Sequence, residues 1–143
     1  MRAIPHGFSY QIDRPVSPSM SAERWGNPTP AHVLATPMLL RLFEECAAEG
    51  ILPFLHPDEL ILGAEVTLRH RRPTPPGLTV HLKTQLIEVS KDKLTFELLA
   101  WDDIDVVATG TLTSAVVSRA TFETRFADKF QYAENLLNSP KES

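Results

Sequence analysis

Residues 36–50 read TPMLLRLFEECAAEG, and this stretch decides the fold. Thr36 is a good helix N-cap and Pro37 suits the first helical position, so a helix is expected over residues 37–49 with Gly50 as its stop. Leu39, Leu42, Phe43, Cys46 and Ala47 recur at helical spacing and define one apolar face. Arg41, Glu45 and Glu49 fall on the opposite face. Glu44 lies at the border, beside Leu40, Ala47 and Ala48.

Around this helix the chain reads as strands. Before it, Phe8, Tyr10 and Ile12 alternate with polar residues, so a short strand is expected over residues 8–13. Residues 14–31 carry Pro15, Pro18, Pro28 and Pro30, an irregular segment long enough to suspect a functional loop. After it, strands are expected over 61–70, 78–88, 93–101 and 105–118. Their short connections predict antiparallel neighbours. A polar amphipathic stretch, residues 121–137 with Phe122, Phe126, Phe130 and Leu137, predicts a final surface helix. The whole is one α+β domain over residues 1–143, and a sheet covered by one helix leaves an edge or face free for dimerisation.

Composition narrows the function. The formal net charge of -4 argues against general nucleic-acid binding, and no apolar run approaches the ~20 residues of a membrane span. Met1-Arg2-Ala3-Ile4-Pro5-His6 lacks the apolar stretch of a secretory leader, so a cytoplasmic location is expected. The single cysteine, Cys46, sits among apolar neighbours and reads as a buried, inert thiol. His32, His56 and His81 are scattered, with no metal-ligand spacing and no phosphate-cradling glycine loop.

Several residues have chemistry to offer. In a regular strand over 61–70, Leu62, Ala64, Val66, Leu68 and His70 share the helix-facing side, which ends on an imidazole able to act as acid, base or donor. Glu44, at the edge of an apolar helix face, can point into a crevice, or else pair with Arg41 on the surface. Thr36 can cap the helix, or hold a hydroxyl where helix N–H groups favour a developing oxyanion. Arg69, Arg71 and Arg72 are candidate contacts for phosphates, though such a run is more often a solvated strand end. Gly63 marks a bulge or a close approach by ligand, the bulge being the commoner case. On local sequence alone each has an ordinary structural reading.

Taken jointly, they resemble the hot-dog thioesterase superfamily, specifically its fluoroacetyl-CoA thioesterase type. The resemblance rests on Ala35-Thr36, Glu44 eight residues on, Leu62-Gly63, His70, the turn Thr74-Pro75-Pro76-Gly77-Leu78-Thr79-Val80, and Gly110-Thr111. It covers about residues 31–118. It implies an antiparallel sheet wrapped around a central helix, a homodimer with sites at the interface, and hydrolysis of acyl-CoA. It further implies Thr36, Glu44 and His70 as the catalytic set, Gly63 against the acyl group, and no cofactor or metal beyond the CoA of the substrate. Two departures stand out. Residues 27–34 hold no aromatic residue where the fluoroacetyl enzyme is rich in Phe, so selectivity for a fluorinated acyl group is not expected. The last strand reads Gly110-Thr111-Leu112-Thr113, where relatives often carry His and a basic residue after the Thr.

The implied set poses a geometric problem. Eight residues of helix span ~12 Å, so Thr36 and Glu44 of one straight helix cannot touch the same reacting atom. Either the site is composite between protomers or the chain bends at Thr36. Rival readings on the same fold are a non-catalytic acyl-CoA sensor, a dehydratase acting on hydroxyacyl chains, and a purely structural dimer module.

Overall fold

An amphipathic helix must bury its apolar stripe, and here a single sheet curls around it. In the computed structural model, which describes residues 1–140, helix α1 (Thr36–Ile51) buries Met38, Leu39, Leu42, Phe43, Cys46, Ala47, Gly50 and Ile51. The strands are β1 (Ser9–Pro15), β2 (Glu59–His70), β3 (Thr79–Ser90), β4 (Lys93–Trp101) and β5 (Val106–Ser118). They form one antiparallel sheet in the order β1-β3-β4-β5-β2. Leu82, Leu94, Phe96, Leu98 and Leu112 close over the helix from the sheet side. Each fully buried side chain of this size contributes about 1.5–3 kcal/mol. This is the α+β arrangement of a sheet wrapped around a central helix that the sequence implies.

Four expectations need correction. First, the N-cap of α1 is Ala35, with extended backbone, and Thr36 is the first helical residue. Thr36 does not cap because its hydroxyl is engaged elsewhere. Second, Gly50 does not stop the helix, which runs on to Ile51 and tightens into a 3-10 turn over Leu52–Phe54. Gly50 is small because Tyr10 lies against it: a Cβ there would stand 2.7 Å from Tyr10 Cβ.

Third, β2 and β3 are consecutive in sequence but not neighbours. Two strands separate them, so the connection over residues 71–78 crosses three inter-strand spacings, about 14 Å. Pro73, Pro75 and Pro76 keep it extended enough to do so. Fourth, the single terminal helix is two, α2 (Arg119–Arg125) and α3 (Ala127–Leu137), broken at Phe126. Phe122, Phe126 and Phe130 cluster across the break.

The face of β2 is also changed. Gly63 pairs with Ser114 and Glu65 with Thr113, which leaves Ala64 as the extra residue of a β-bulge. Across the bulge the alternation resets. Ile61 and Gly63 share the helix side with buried Val116 and Ser114, whereas Val66 and His70 share it with buried Leu112 and Ala108. Leu62 is turned to the outer face and is 40% exposed. The regular face running from Leu62 through Ala64 to His70 therefore does not form.

β5 approaches β2 closely at Gly110, where an added Cβ would stand 2.1 Å from the Thr67 carbonyl oxygen. The Gly110→Ala variant must part the two strands. Its urea denaturation should show a loss of about 1–3 kcal/mol. An unchanged midpoint would show that the strands can yield there at no cost.

Candidate active site

The bulge delivers His70, the last residue of β2, to the helix side, where α1 begins. Thr36 Oγ1 and His70 Nδ1 are 2.7 Å apart, a full hydrogen bond between the first turn of the helix and the end of the strand. Both ends are held by a buried polar circuit. The N–H groups of Arg71 and Arg72 donate to the Val107 carbonyl. Leu34, two residues before Thr36, donates its N–H to the Thr74 carbonyl at 2.8 Å. The Thr74 hydroxyl donates to Asp102 Oδ2 at 2.9 Å, and Asp102 Oδ1 accepts from the N–H groups of Ile104 and Asp105. Burial pushes the Asp102 pKa up. The Asp105 and Ile104 N–H groups and the Thr74 hydroxyl outweigh that and hold it below the ordinary carboxylate value.

His70 is half-buried, and burial lowers its pKa, partly offset by the nearby Arg72 carbonyl, which favours the protonated ring. The imidazole is thus neutral at neutral pH, the form that can take a proton. Its Nε2 is buried and has no hydrogen-bond partner among the described residues. A donor or acceptor on a bound molecule would satisfy it.

Thr36 and His70 line a cleft of ≈ 280 Å³, together with Ala22, Asn27, Ala31, Val33, Leu34 and the segment 71–73. At Arg71 and Arg72 it meets a second, wider cleft of ≈ 610 Å³ that adds Arg69, Asp105 and Val106. Among the described residues none of these three arginines is ion-paired, so the second cleft presents free positive charge. No cluster of metal-ligating side chains occurs among the described residues.

Glu44 lies elsewhere. It is exposed on α1, and its Oε1 is 2.8 Å from the point where a Cβ of Gly63 would stand. Any side chain at residue 63 would displace the carboxylate. Arg41 pairs with Glu45, not Glu44, which leaves the Glu44 carboxylate without a hydrogen bond from any described residue. Within one chain the predicted residues therefore form two pairs, Thr36 with His70 and Glu44 with Gly63. They are set apart by ~12 Å along the helix and roughly 20 Å along the strand.

The sequence reading missed Thr74 and Asp102, which are 28 positions apart and leave no local signal. It also missed Val33, and Ala22, Asn27 and Ala31, as cleft wall, although the last three fall in the proline-punctuated segment 14–31 that reads as a functional loop.

Comparison with known proteins places the chain in a family. The profile of the FlK family, described as fluoroacetyl-CoA-specific thioesterase, matches residues 16–120. A fluoroacetyl-CoA thioesterase from Streptantibioticus cattleyicolor is 32% identical over 97 residues, 68% of this chain and 70% of that protein. Among solved structures, a Thr-to-Ser variant of the fluoroacetyl-CoA thioesterase in complex with acetyl-CoA superposes with a TM-score of 0.80. It shares 27% identity and covers 88% of this chain and 98% of that one. A thioesterase superfamily member from Thermus thermophilus gives 0.83 at 26% identity, over 94% and 98% of the two chains.

The desolvated imidazole has a measurable signature. An NMR titration of the His70 ring should give a midpoint below the ordinary 6.5. Because folding opposes protonation, the ring's contribution to stability is complete above the unfolded value and is lost as pH falls through the folded midpoint. A midpoint at 6.5 would mean that the ring is solvated, and one above it that a carboxylate faces the ring.

Proposed function

The chain belongs to the fluoroacetyl-CoA-specific thioesterase family and is an acyl-CoA thioester hydrolase; we propose that it acts as a homodimer whose two sites each combine residues of both copies. The observation that carries this reading is the division of the catalytic set into two pairs within one chain. Thr36 and His70 are hydrogen-bonded, and Glu44 stands against Gly63. Neither pair alone supplies attack and proton transfer, and a second copy supplies what is missing.

β2 is the natural seam. It is an edge strand with an unpaired row of N–H and C=O groups, and it exposes Leu62 and Val66. Antiparallel pairing of β2 with its copy about a two-fold axis at Thr67, with Ala64 bulged out of the pairing, sets Gly63 opposite His70 of the second copy. Directly opposed residues share a face of the sheet. The bulge has already put Gly63 and His70 on the helix side, so Glu44 then faces the second copy's Thr36 and His70. The composite site expected from helix length is the arrangement this supports.

The chemistry follows from the groups. A thioester carbonyl is electrophilic and its thiolate leaves readily. Glu44 attacks the carbonyl carbon or takes the proton of the attacking water. On the water route Glu44 takes the proton of the attacking water and neutral His70 relays that proton to the departing sulfur; on the covalent route CoA leaves as the thiolate, and His70 takes the proton of the water that then hydrolyses the acyl–Glu44 anhydride. Thr36 fixes the imidazole and lies at the positive end of α1, where charge developing on the carbonyl oxygen is favoured. The unpaired Arg69, Arg71 and Arg72 suit the phosphates of CoA. CoA enters with the substrate and no resident cofactor is needed. We further propose that it works in the cytoplasm, with acyl-CoA rather than nucleic acid or membrane as its partner.

Glu44→Ala and His70→Ala should each lower kcat by roughly 10²–10⁴, measured with an acyl-CoA panel and thiol detection of free CoA. Mixing and refolding the two inactive variants tests the shared site. A heterodimer holds one intact site, so activity should return to about a quarter of wild type. No recovery, with mixed dimers verified, would put all three residues in one chain's site and overturn the composite reading.

A further inference from the structure

The wall of the cleft beside His70 is built from residues 21–34. Ser21 bridges Leu34, the Ala22 N–H donates to the Val33 carbonyl at 2.8 Å, and the Glu23 N–H donates to the Ala31 carbonyl. Glu23 Oε1 and His32 Nδ1 add a side-chain contact at 2.9 Å across the same ribbon. The backbone is therefore fixed, and the side chains it presents to the cleft are small: Ala22, Ala31 and Val33 with the polar Asn27, over a floor of buried Leu34. The ribbon's one aromatic residue, Trp25, packs against the core and donates its ring N–H to the Ser19 carbonyl; it does not line the cleft.

The two ends of the cleft differ in chemistry. Arg71 and Arg72 are shared with the arginine-lined cleft, which suits the anionic CoA moiety. Away from the arginines the wall of Ala22, Ala31, Val33 and Leu34, interrupted by Asn27, is mostly apolar and suits the acyl chain. The whole cleft, including the end given to CoA, measures ≈ 280 Å³, against the ~150 Å³ of a cavity that holds benzene, so its apolar end has room for more than a two-carbon acyl group. An acetyl or fluoroacetyl group would leave the wall of Ala22, Ala31 and Val33 to water. Each further methylene laid against Ala22, Ala31 and Val33 gains about fourfold in transition-state binding.

Resting on the proposed placement of the thioester at Thr36 and His70, we propose that this enzyme selects aliphatic acyl groups longer than acetyl, of about four to eight carbons, with Ala31 and Ala22 setting the depth of the acyl site. The size of these two side chains, not a ring contact, determines specificity.

The test is kcat/KM for acetyl-, fluoroacetyl-, butanoyl-, hexanoyl-, octanoyl- and dodecanoyl-CoA, for wild type, Ala31→Phe and the milder Ala31→Leu. Wild type should prefer butanoyl to octanoyl over acetyl and fluoroacetyl by at least about tenfold, as two or more buried methylenes require. Ala31→Phe should reverse the profile, lowering the octanoyl-to-acetyl ratio by an order of magnitude or more. If that variant fails to fold, Ala31→Leu should move the ratio the same way by a smaller factor. A maximum at acetyl- or fluoroacetyl-CoA overturns the proposal. An unaltered ratio in a folded Ala31 variant also overturns it, and equal loss on every thioester would mean that the cleft holds the CoA moiety. Absence of turnover on the whole panel would instead strike the catalytic reading on which the proposal rests.

Discussion

The functional geometry depends on one extra residue in an edge strand. Gly63 and His70 are seven positions apart, and in a regular strand an odd separation puts them on opposite faces. The bulge at Ala64 changes that parity, so both turn toward α1. Remove it, and either the imidazole leaves Thr36 or the bare backbone at Gly63 leaves Glu44. A bulge costs ladder hydrogen bonds and bends the strand. Here it lets two distant points on one strand serve the same side of the sheet.

The second dependence is a chain of buried hydrogen bonds that contains no cation. A carboxylate that is nearly inaccessible, as Asp102 is, costs several kcal/mol unless its lone pairs are filled. Two backbone N–H groups and the Thr74 hydroxyl fill them. Thr74 in turn holds Leu34 through its carbonyl. The position of Thr36 is thus referred to the β4–β5 turn through one threonine on the crossing connection. The connection that runs across two strands is the segment that brings the separate pieces of the site into register.

What could be read from the sequence divides along the same lines. Local patterns carried the helix, its buried face and the extents of β3, β4 and β5, because periodicity and turn chemistry act over a few residues. Gly63 could be marked as a bulge because glycine weakens a strand, yet its consequence for His70 lay seven residues away. The separation of β2 from β3 was hidden, since a short proline-rich connection looks the same whether it turns or crosses. Gly50 resembled a helix stop, but the reason for it is the Tyr10 side chain forty positions upstream. Thr36 resembled a cap, but its hydroxyl belongs to His70. The candidate site residues could be picked out in the sequence, whereas their division into two pairs could not, because it is set by how α1 lies along β2.

Cys46 has a bearing on turnover that its inertness might conceal. Each catalytic cycle releases a free thiol, CoA, beside a protein with one thiol of its own. Cys46 is fully buried, its Sγ is directed to the carbonyls of Tyr10 and Leu82 and the hydroxyl of Thr84, and burial pushes its pKa up. Thiol–disulfide exchange requires an accessible thiolate, and this sulfur is neither accessible nor ionised. The enzyme is thereby insulated from its own product. Oxidised CoA accumulating nearby would find nothing on the folded chain to cap, and the catalyst stays unmodified as the local redox state drifts.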